Sequence, residues 1–382
     1  MLYEWLFWLS LALAAYTFVG YPALALLLAR RYGCAPKLAA GTPPVTVVIA
    51  MRDEAERIGE RIRNLQACDY PADRLKILLV DDGSCDGCAE VALAHAVLDP
   101  RIKVLRLGKA RGKAVALNAA MREVDTDLTI FADARQRFGR GALRALVAPF
   151  ADPNIGVVAG ELLLSHDSES ENAATSHGAY WRLERALRHA EARLGWAHAA
   201  SGSIYAIRTQ LFRPLPAGLV LDDVYTPAQI VQRGARVWVA REAQAFEPAG
   251  TGGSGWHEFR RKLRTLTGNW QLIAALPWLL SPRRNPVFFA WCSHKFARLL
   301  APWALLLALV GAAGAPGGLA QLALWPQVAL YLVALAALLF PHGLRRMPLA
   351  STAASFVSLN FAALLSLPLY LGRADLSTLW KR

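Results

Sequence analysis

Two widespread nucleotide-binding motifs are missing from this chain of 382 residues. The P-loop pattern GxxxxGK[ST] occurs nowhere, which argues against the P-loop class of NTPases. The glycine-rich dinucleotide fingerprint should follow the first strand of a dehydrogenase domain. Here the turn after the first predicted strand is Met51-Arg52-Asp53-Glu54 and contains no glycine. The sequence therefore argues against a dehydrogenase as well.

Cysteine is scarce, and nucleic-acid-binding modules are not recognisable. The five cysteines show no pairing by spacing, so we expect a reducing compartment. The formal net charge of +13 comes largely from basic residues at 257–298 and beside apolar segments. A protein surface that faces anionic lipid, together with a site for a diphosphate ligand, explains where these basic residues are concentrated. We predict membrane lipids as partners and no nucleic acid.

Apolar residues, in contrast, make up 55% of the chain. The run from Trp5 to Ala29 carries no charged residue and is long enough to cross a bilayer. It lacks the basic n-region of a signal peptide, and Arg30 and Arg31 follow it. We therefore predict an uncleaved anchor over residues 1–31, with the chain that follows on the cytoplasmic side.

Three further apolar segments cover residues 299–313, 319–340 and 349–371. The first is short for a span unless the residues just before Leu299 join it. The third has basic residues on both flanks, so one flank violates the positive-inside tendency if the segment spans. We predict a membrane region over residues 285–382 with two or three spans, in which the last segment spans, re-enters or lies at the interface.

Strand-like and helix-like stretches alternate between these membrane segments. Predicted strands and helices follow one another at 45–50, 54–67, 77–80, 89–96, 102–107, 113–122 and 128–131. This order predicts a parallel sheet with right-handed crossovers. Residues 172–194 predict an amphipathic basic helix, either on the membrane surface or on a solvated flank of the domain. The glycines of Gly250–Gly255 predict a mobile loop.

Acidic residues follow two of the predicted strands. Asp81 and Asp82 come directly after the strand at 77–80, and Asp133 follows the strand at 128–131. Open α/β sheets bind their ligands at this edge, beyond the carboxyl ends of the strands. Carboxylates there accept hydrogen bonds from a ribose or a base edge, or bind a metal, and they repel a bare phosphate. The pattern predicts a site for the sugar-and-base end of a nucleotide.

Two later charged segments complete the pattern: the pair Asp222-Asp223 and the basic run from Arg260 to Arg264. With these two segments after the acidic residues at 81–82 and 133, the chain resembles the membrane-embedded, inverting family 2 glycosyltransferases. The resemblance covers about residues 45–271 and continues around Lys295. It implies a GT-A fold, which is a Rossmann-like mixed α/β sheet, over residues 40–280. This cytoplasmic domain would be flanked by transmembrane helices.

The resemblance also implies roles for individual residues. Nucleotide-sugar contacts are implied for Glu54, Asp81, Asp82, Lys113, Asp133, Arg135, Arg261 and Arg264. Gly202 and Arg208 match the acceptor-side segment of the family, together with Ala206. The family's asparagine before the acid of the first turn is replaced here by Asp53.

The chemistry of sugar transfer is consistent with these roles. The diphosphate leaves through an oxocarbenium-like transition state, so the site needs positive charge there and a carboxylate to deprotonate the acceptor. Asp223 is the predicted base and Asp222 the second candidate, although the pair also suits a helix N-cap. Arg264, with Arg261 or Lys262, would clamp the diphosphate, although such a run is also typical of an interfacial flank.

Two departures from the family pattern affect the prediction. The metal motif of the family is Asp-x-Asp, and here Arg135 takes the third position. Mg²⁺ or Mn²⁺ would then bind through Asp133, waters and diphosphate oxygens, or Arg135 would itself offset phosphate charge. Processive synthases carry Gln-x-x-Arg-Trp, of which only Arg264 is kept, and this argues against processivity.

We therefore predict a multi-pass inner-membrane enzyme. It would move a sugar from a UDP-linked donor to a lipid-linked or growing glycan acceptor, with inversion. The alternatives are a processive exopolysaccharide synthase and a non-catalytic nucleotide-binding subunit of a polysaccharide export complex. The histidines His198, His257 and His294 are predicted to be packing or interfacial residues rather than catalytic ones.

Overall fold

The structure, a computed structural model, describes residues 1–164, 176–247, 255–316, 318–340 and 347–372. A mixed sheet of eight strands lies at its centre. The strands are β1 (Val45–Met51), β2 (Leu75–Asp81), β3 (Ile102–Arg106), β4 (Leu128–Ala132), β5 (Arg137–Phe138), β6 (Ile155–Leu164), β7 (Ile204–Arg208) and β8 (Arg236–Glu247). Their order across the sheet is β3-β2-β1-β4-β7-β6-β8-β5.

Helices cover the sheet and extend from it at both ends of the chain. Those before and within the sheet region are α1 (Leu2–Ala15), α2 (Tyr21–Tyr32), α3 (Ala55–Gln66), α4 (Cys88–Leu98), α5 (Lys113–Met121), α6 (Ala142–Val147), α7 (Ser176–Leu194) and α8 (Asp222–Val231). Those after it are α9 (Gly255–Ala275), α10 (Phe288–Trp291), α11 (Ala297–Gly314), α12 (Gly318–Leu322), α13 (Leu324–Leu339) and α14 (Pro348–Leu371).

The first four strands are parallel, as their alternation with helices predicts. Their apolar runs form strands because both faces of this part of the sheet are covered, and Val47, Ile49 and Leu79 are fully buried. β7 then runs antiparallel between β4 and β6, which makes the sheet mixed. The predicted Rossmann-like mixed α/β sheet is confirmed.

The register of the strands decides which residues share an edge of the sheet. Met51 at the end of β1 pairs with Asp81 at the end of β2, and Ile49 pairs with Ala132 at the end of β4. β7 runs in the opposite direction, so its first residue, Ile204, lies opposite Ala132. Residues just before β7 therefore reach the same edge as the ends of β1, β2 and β4.

Four helices among the described residues are long and apolar enough to cross a membrane: Leu2–Tyr32, Phe288–Gly314, Gly318–Leu339 and Leu349–Leu371. In the second, residues before Leu299 do join the apolar segment. The core of the sheet domain extends as far as Trp291, at the start of that helix. The division of the chain at residues 1–31, 40–280 and 285–382 remains a prediction. The basic flanks Arg345, Arg346 and Arg373 lie outside the described residues, as does the predicted loop up to residue 254.

The basic helix predicted at residues 172–194 is observed as α7, and its apolar stripe packs against another helix of the chain. Leu187 is fully buried in a cluster with Tyr21, Ala25 and Ala290. The Tyr21 hydroxyl also donates to Oε1 of Glu191 at 2.6 Å. The apolar stripe of α7 is thus buried against the first candidate span, since a neighbouring helix covers it better than solvent or a lipid surface.

Candidate active site

The turn after β1 is joined to the turn after β2. The Asp53 N–H donates to Oγ of Ser84 at 3.1 Å, and the Cys85 N–H donates to Oδ1 of Asp53 at 2.9 Å. Asp53 has a φ of 51°, in the left-handed region. Asparagine and aspartate are the non-glycine residues that tolerate this region best. The departure from the family's asparagine therefore preserves the conformation of the turn.

Glu54 and Arg135, both predicted to contact the nucleotide, form an ion pair with each other. The Arg135 Nε donates to Oε1 of Glu54 at 2.5 Å, and Nη1 of Arg57 donates to Oε2 at 2.8 Å. Glu54 is buried, and its carboxylate lies between these two guanidinium groups. The charge of Arg135 is therefore balanced by Glu54 in this structure.

The two aspartates after β2 are buried and organise the surrounding loops. Oδ1 of Asp81 accepts a hydrogen bond from the Ser84 N–H at 3.1 Å. The Asp82 carboxylate accepts from the N–H groups of Arg111 and Gly112 at 2.7 and 2.8 Å. Gly112 has a φ of 93°, which only glycine adopts readily. Asp82 thereby holds the loop that starts α5 at Lys113.

Lys113 lies at the centre of an acidic cluster. Its Nζ is 3.0 Å from Oδ1 of Asp133 and 3.3 Å from Oδ2 of Asp222. Burial lowers the pKa of Lys113, but the carboxylates of Asp133, Asp222 and Asp223 outweigh it, so the pKa is raised. The ammonium is therefore charged and compensates part of the acidic cluster. Through Lys113, the loop held by Asp82 meets Asp133 and the start of α8 in one site.

Asp222 and Asp223 are not N-cap residues, contrary to one of the two predictions. α8 begins at Asp222, and Leu221 is its N-cap. Oδ2 of Asp223 accepts from the Gly202 N–H at 3.0 Å, and its carbonyl accepts from the Ala200 N–H at 2.8 Å. These bonds attach the first turn of α8 to the segment that leads into β7.

The environment of Asp223 moves its protonation into the neutral range. Burial and the charge of Asp222 together raise the pKa of Asp223 to about 6, against the opposing charges of Lys113 and Lys295. Burial also raises the pKa of Asp222, against the charge of Lys113. A carboxylate with a pKa near the working pH is suited to proton abstraction.

Of the predicted basic residues, Arg264 joins this cluster. Burial lowers the pKa of Arg264, and the charges of Asp222 and Asp223 raise it, so the guanidinium lies near these carboxylates. Arg261, one turn earlier on α9, is exposed. Lys262 forms an ion pair with Glu258 at 3.1 Å.

Arg208, predicted to lie on the acceptor side, is not part of the cluster. It pairs with Leu128 at the start of β4, which is the opposite edge of the sheet. Its guanidinium donates to the backbone carbonyls of Phe150, Asp152 and Ile155 at 2.8 to 3.1 Å. Because β7 is antiparallel to β4, Gly202 reaches the site and Arg208 points away from it.

Comparison with known proteins agrees with this geometry. Residues 46–214 match the family model described as glycosyl transferase family 2. This segment belongs to glycosyltransferase family 2. A solved mannosyltransferase from Pyrobaculum calidifontis, in complex with GDP-Man and Mn²⁺, matches with a TM-score of 0.69 and 25% identity. The match covers 97% of this chain and 99% of that chain, and the sheet therefore has the GT-A fold.

Curated relatives match over shorter segments of the chain. A beta-monoglucosyldiacylglycerol synthase from Synechocystis sp. is 27% identical over 37% of this chain and 31% of that protein. An N-acetylglucosaminyltransferase from Sinorhizobium fredii is 27% identical over 55% of this chain and 54% of that protein. The chain thus spans about a third and about half of these two relatives.

Three residues of this site received no individual role from the sequence. Lys295 is close enough to lower the pKa of Asp223. Tyr205 is fully buried, and burial together with Asp222 and Asp223 raises the pKa of its hydroxyl. Gln271 accepts from the Val220 N–H at 3.0 Å and donates to the Gly218 carbonyl at 2.9 Å, so it holds the loop before Asp222. All three lie in stretches that resemble the family, but only their packing reveals what they contact.

A divalent ion has a limited set of ligands in this site. Among the described residues, no group of three or more His, Cys, Asp or Glu side chains is arranged to hold a metal ion. Asp133 is suitable as a single ligand, because its side chain is 38% exposed and its Oδ2 makes no hydrogen bond with a described residue. The residues present therefore fit an ion that takes its other oxygens from water and ligand.

Proposed function

We propose that the protein transfers a sugar from a nucleotide-sugar to a lipid-linked or growing glycan acceptor, with inversion of the anomeric carbon. The observation that carries this proposal is the convergence of Asp133, Asp222 and Asp223 around Lys113 at the carboxyl-end edge of a GT-A sheet. The family of the domain supports the reaction type.

Asp223 acts as the general base in this proposal. Its carboxylate is oriented by the Gly202 N–H, and its raised pKa lets it accept a proton from an acceptor hydroxyl near neutral pH. The deprotonated hydroxyl attacks the anomeric carbon from the side opposite the leaving diphosphate. A single displacement of this kind inverts the configuration.

Lys113 and Arg264 supply positive charge to the leaving diphosphate. Both lie among the carboxylates of the site, so each is held in place before the donor arrives. Asp133 would hold Mg²⁺ or Mn²⁺, which when bound neutralises diphosphate charge. Asp81 and Asp82 remain the proposed contacts for base and ribose, and Glu54, Arg135 and Arg261 line the donor side.

The proposed setting is the inner membrane, with the sheet domain in the cytoplasm. The candidate span at Leu2–Tyr32 ends with Arg30 and Arg31, which favours a cytoplasmic position for the residues that follow. The three candidate spans after residue 285 would complete a multi-pass arrangement. An acceptor that is anchored in lipid would then meet the donor at the membrane face.

The donor and the reaction can be tested together on the full-length protein in nanodiscs. UDP-glucose, UDP-N-acetylglucosamine and GDP-mannose would be compared for thermal stabilisation, and the best donor incubated with membrane lipid extract. We expect a UDP-sugar to stabilise the protein and mass analysis to find single additions. NMR of the product would then show the inverted configuration of the anomeric carbon. Long polymer would indicate a processive synthase, and donor binding without transfer or hydrolysis would indicate a non-catalytic subunit.

A further inference from the structure

A group of arginines from α7 and β8 lines a cavity outside the proposed active site. Arg182, Arg185 and Arg188 are spaced by three residues on α7, so their side chains share one face of the helix. Arg182 and Arg185, together with Arg241 of β8, line an open cavity of about 210 Å³. Arg188 lines a smaller pocket beside it, and Arg185 and Glu161 belong to both.

The cavity has more positive than negative charge. Glu161 is the one carboxylate that lines it among the described residues, and it forms an ion pair with Arg185. Within the described part of the chain, neither Arg182 nor Arg241 has a carboxylate partner within 4.0 Å. The Nε atoms of Arg185 and Arg188 are buried and have no acceptor among the described residues. Buried donors of this kind are normally satisfied, and an anion would satisfy them.

The smaller pocket connects these arginines to the reaction site. It is lined by Arg188 together with Ala199 and Ala200, and the Ala200 N–H donates to the carbonyl of Asp223 at 2.8 Å. An anion in the larger cavity would therefore lie near the proposed base without contacting it.

The helix that carries the arginines also contacts candidate membrane spans. α7 packs against α2 through Leu187 and Ala25, and it contacts α14 as well. A ligand with its anionic group in this cavity could therefore keep an apolar tail beside these helices. Neutral sugars and neutral soluble glycans have neither an anionic group nor such a tail.

We propose that this cavity binds the phosphate of a lipid-linked acceptor, with Arg182, Arg185 and Arg241 as its ligands. The planar guanidinium groups match phosphate oxygens in two-point hydrogen bonds, and the group would be held while the attached sugar reaches Asp223. This inference rests on the proposed function and specifies the acceptor: a lipid phosphate that carries a sugar.

The test measures binding and needs no turnover. Full-length protein in neutral nanodiscs is titrated with dodecyl phosphate, with dodecanol and with inorganic phosphate. Wild type is compared with Arg182→Gln and Arg241→Gln, which remove exposed side chains and should not disturb folding. The matched control is Arg122→Gln, an exposed arginine at the far end of α5.

We expect dodecyl phosphate to bind, dodecanol not to bind, and each cavity variant to bind about tenfold more weakly while the control is unchanged. Equal binding of the alcohol, or unchanged binding by both cavity variants, would overturn the proposal. Inorganic phosphate that binds as tightly as dodecyl phosphate would also overturn it, because the lipid would then be irrelevant. Full displacement by phosphatidylglycerol would assign the cavity to bulk lipid and overturn the acceptor assignment.

Donor binding separates this inference from the proposed function. The stabilisation of the protein by a nucleotide-sugar should be the same in wild type, Arg182→Gln and Arg241→Gln. If the proposed function fails, no donor is transferred to any acceptor, whatever the alkyl phosphate measurements show. If only the inference fails, transfer occurs and the cavity variants bind dodecyl phosphate as wild type does.

Discussion

The backbone N–H of Gly202 donates to Oδ2 of Asp223 at 3.0 Å, and a Cβ built on Gly202 would lie 3.2 Å from the same oxygen. Gly202 therefore both orients this carboxylate and leaves the space that it occupies. Because Gly202 does not have a positive φ, its role depends on this contact rather than on backbone conformation. The relationship links a residue predicted to lie on the acceptor side to the proposed base.

Gly202→Ala should slow transfer by about tenfold while the donor binds normally, because the carboxylate must shift by a few tenths of an ångström. The measurement is kcat with saturating donor, together with donor affinity. Gly141→Ala is the matched control, since a Cβ there meets nothing within 4 Å and the φ is also not positive. A normal kcat in Gly202→Ala would show that Asp223 tolerates the displacement.

Asp223→Asn should reduce transfer by at least about a hundredfold and leave nucleotide binding nearly intact, because an amide cannot accept the proton. In the wild type the base must be ionised, and its pKa is about 6. The rate should therefore rise with pH through about 6 and level off above it. Loss of nucleotide binding together with transfer would instead indicate a structural role for Asp223.

The same substitution should change the pH dependence of stability. The pKa of Asp223 is higher in the folded protein than its usual value of 3.8, so the protonated side chain contributes fully to the free energy of unfolding at low pH. That contribution is lost as the carboxyl group ionises and the pH rises through about 6. Asn has no charged form, so Asp223→Asn should be more stable than wild type at pH 8, by about 3 kcal/mol, and similar at pH 4. Thermal unfolding of both proteins at the two pH values measures the difference, and a constant difference would contradict it.

Lys113→Gln should weaken donor binding by about tenfold, because it removes the positive charge proposed to contact the diphosphate. It also removes a charge that lowers the pKa of Asp223, so the pH–rate profile should move to higher pH. Titration with the nucleotide and a pH series test the two effects separately. Lys103→Gln is the control, because Lys103 forms an exposed ion pair with Glu123 at 2.7 Å. An unmoved profile would mean that Lys113 does not influence the base.

Removal of divalent ions should abolish transfer, and Mn²⁺ or Mg²⁺ should restore it. Asp133→Asn should raise the concentration of Mn²⁺ needed for half-maximal activity by about tenfold, since Asp133 is the proposed protein ligand. The control is Asp73→Asn, which changes an exposed aspartate away from the site. Full activity in excess chelator would show that Lys113, Arg264 and Arg135 balance the diphosphate charge without an ion.

Much of the sheet domain was accessible from the sequence. The first four strands are short apolar runs, which is the pattern typical of strands that are covered on both faces. The acidic residues come directly after two of these runs. Parallel strands place their carboxyl ends at one edge, so Asp82 and Asp133 could be predicted to lie near each other. Local pattern and strand direction were sufficient for this part.

Other features depended on contacts between distant parts of the chain. Gly202 and Arg208 lie in the same matched segment, yet the antiparallel direction of β7 sends them to opposite edges of the sheet. The pairing of Glu54 with Arg135 joins residues 81 positions apart, and no local pattern predicts it. The helix that covers the apolar stripe of α7 could not be predicted either, because an amphipathic pattern does not identify the surface that packs against it.

The sequence by itself determined the parallel strands, the order of the acidic residues and the apolar segments, because these depend on local composition and on the direction of the chain. Only the tertiary structure decided which groups meet. The ammonium of Lys113 lies between Asp133 and Asp222, and the carboxylate of Asp223 accepts a hydrogen bond from the Gly202 N–H. The arginine cavity beside the base likewise arises from packing of α7 against the sheet and the candidate spans. Burial, which shifts the pKa of Asp223 to about 6, is a property of that packing and not of the local sequence.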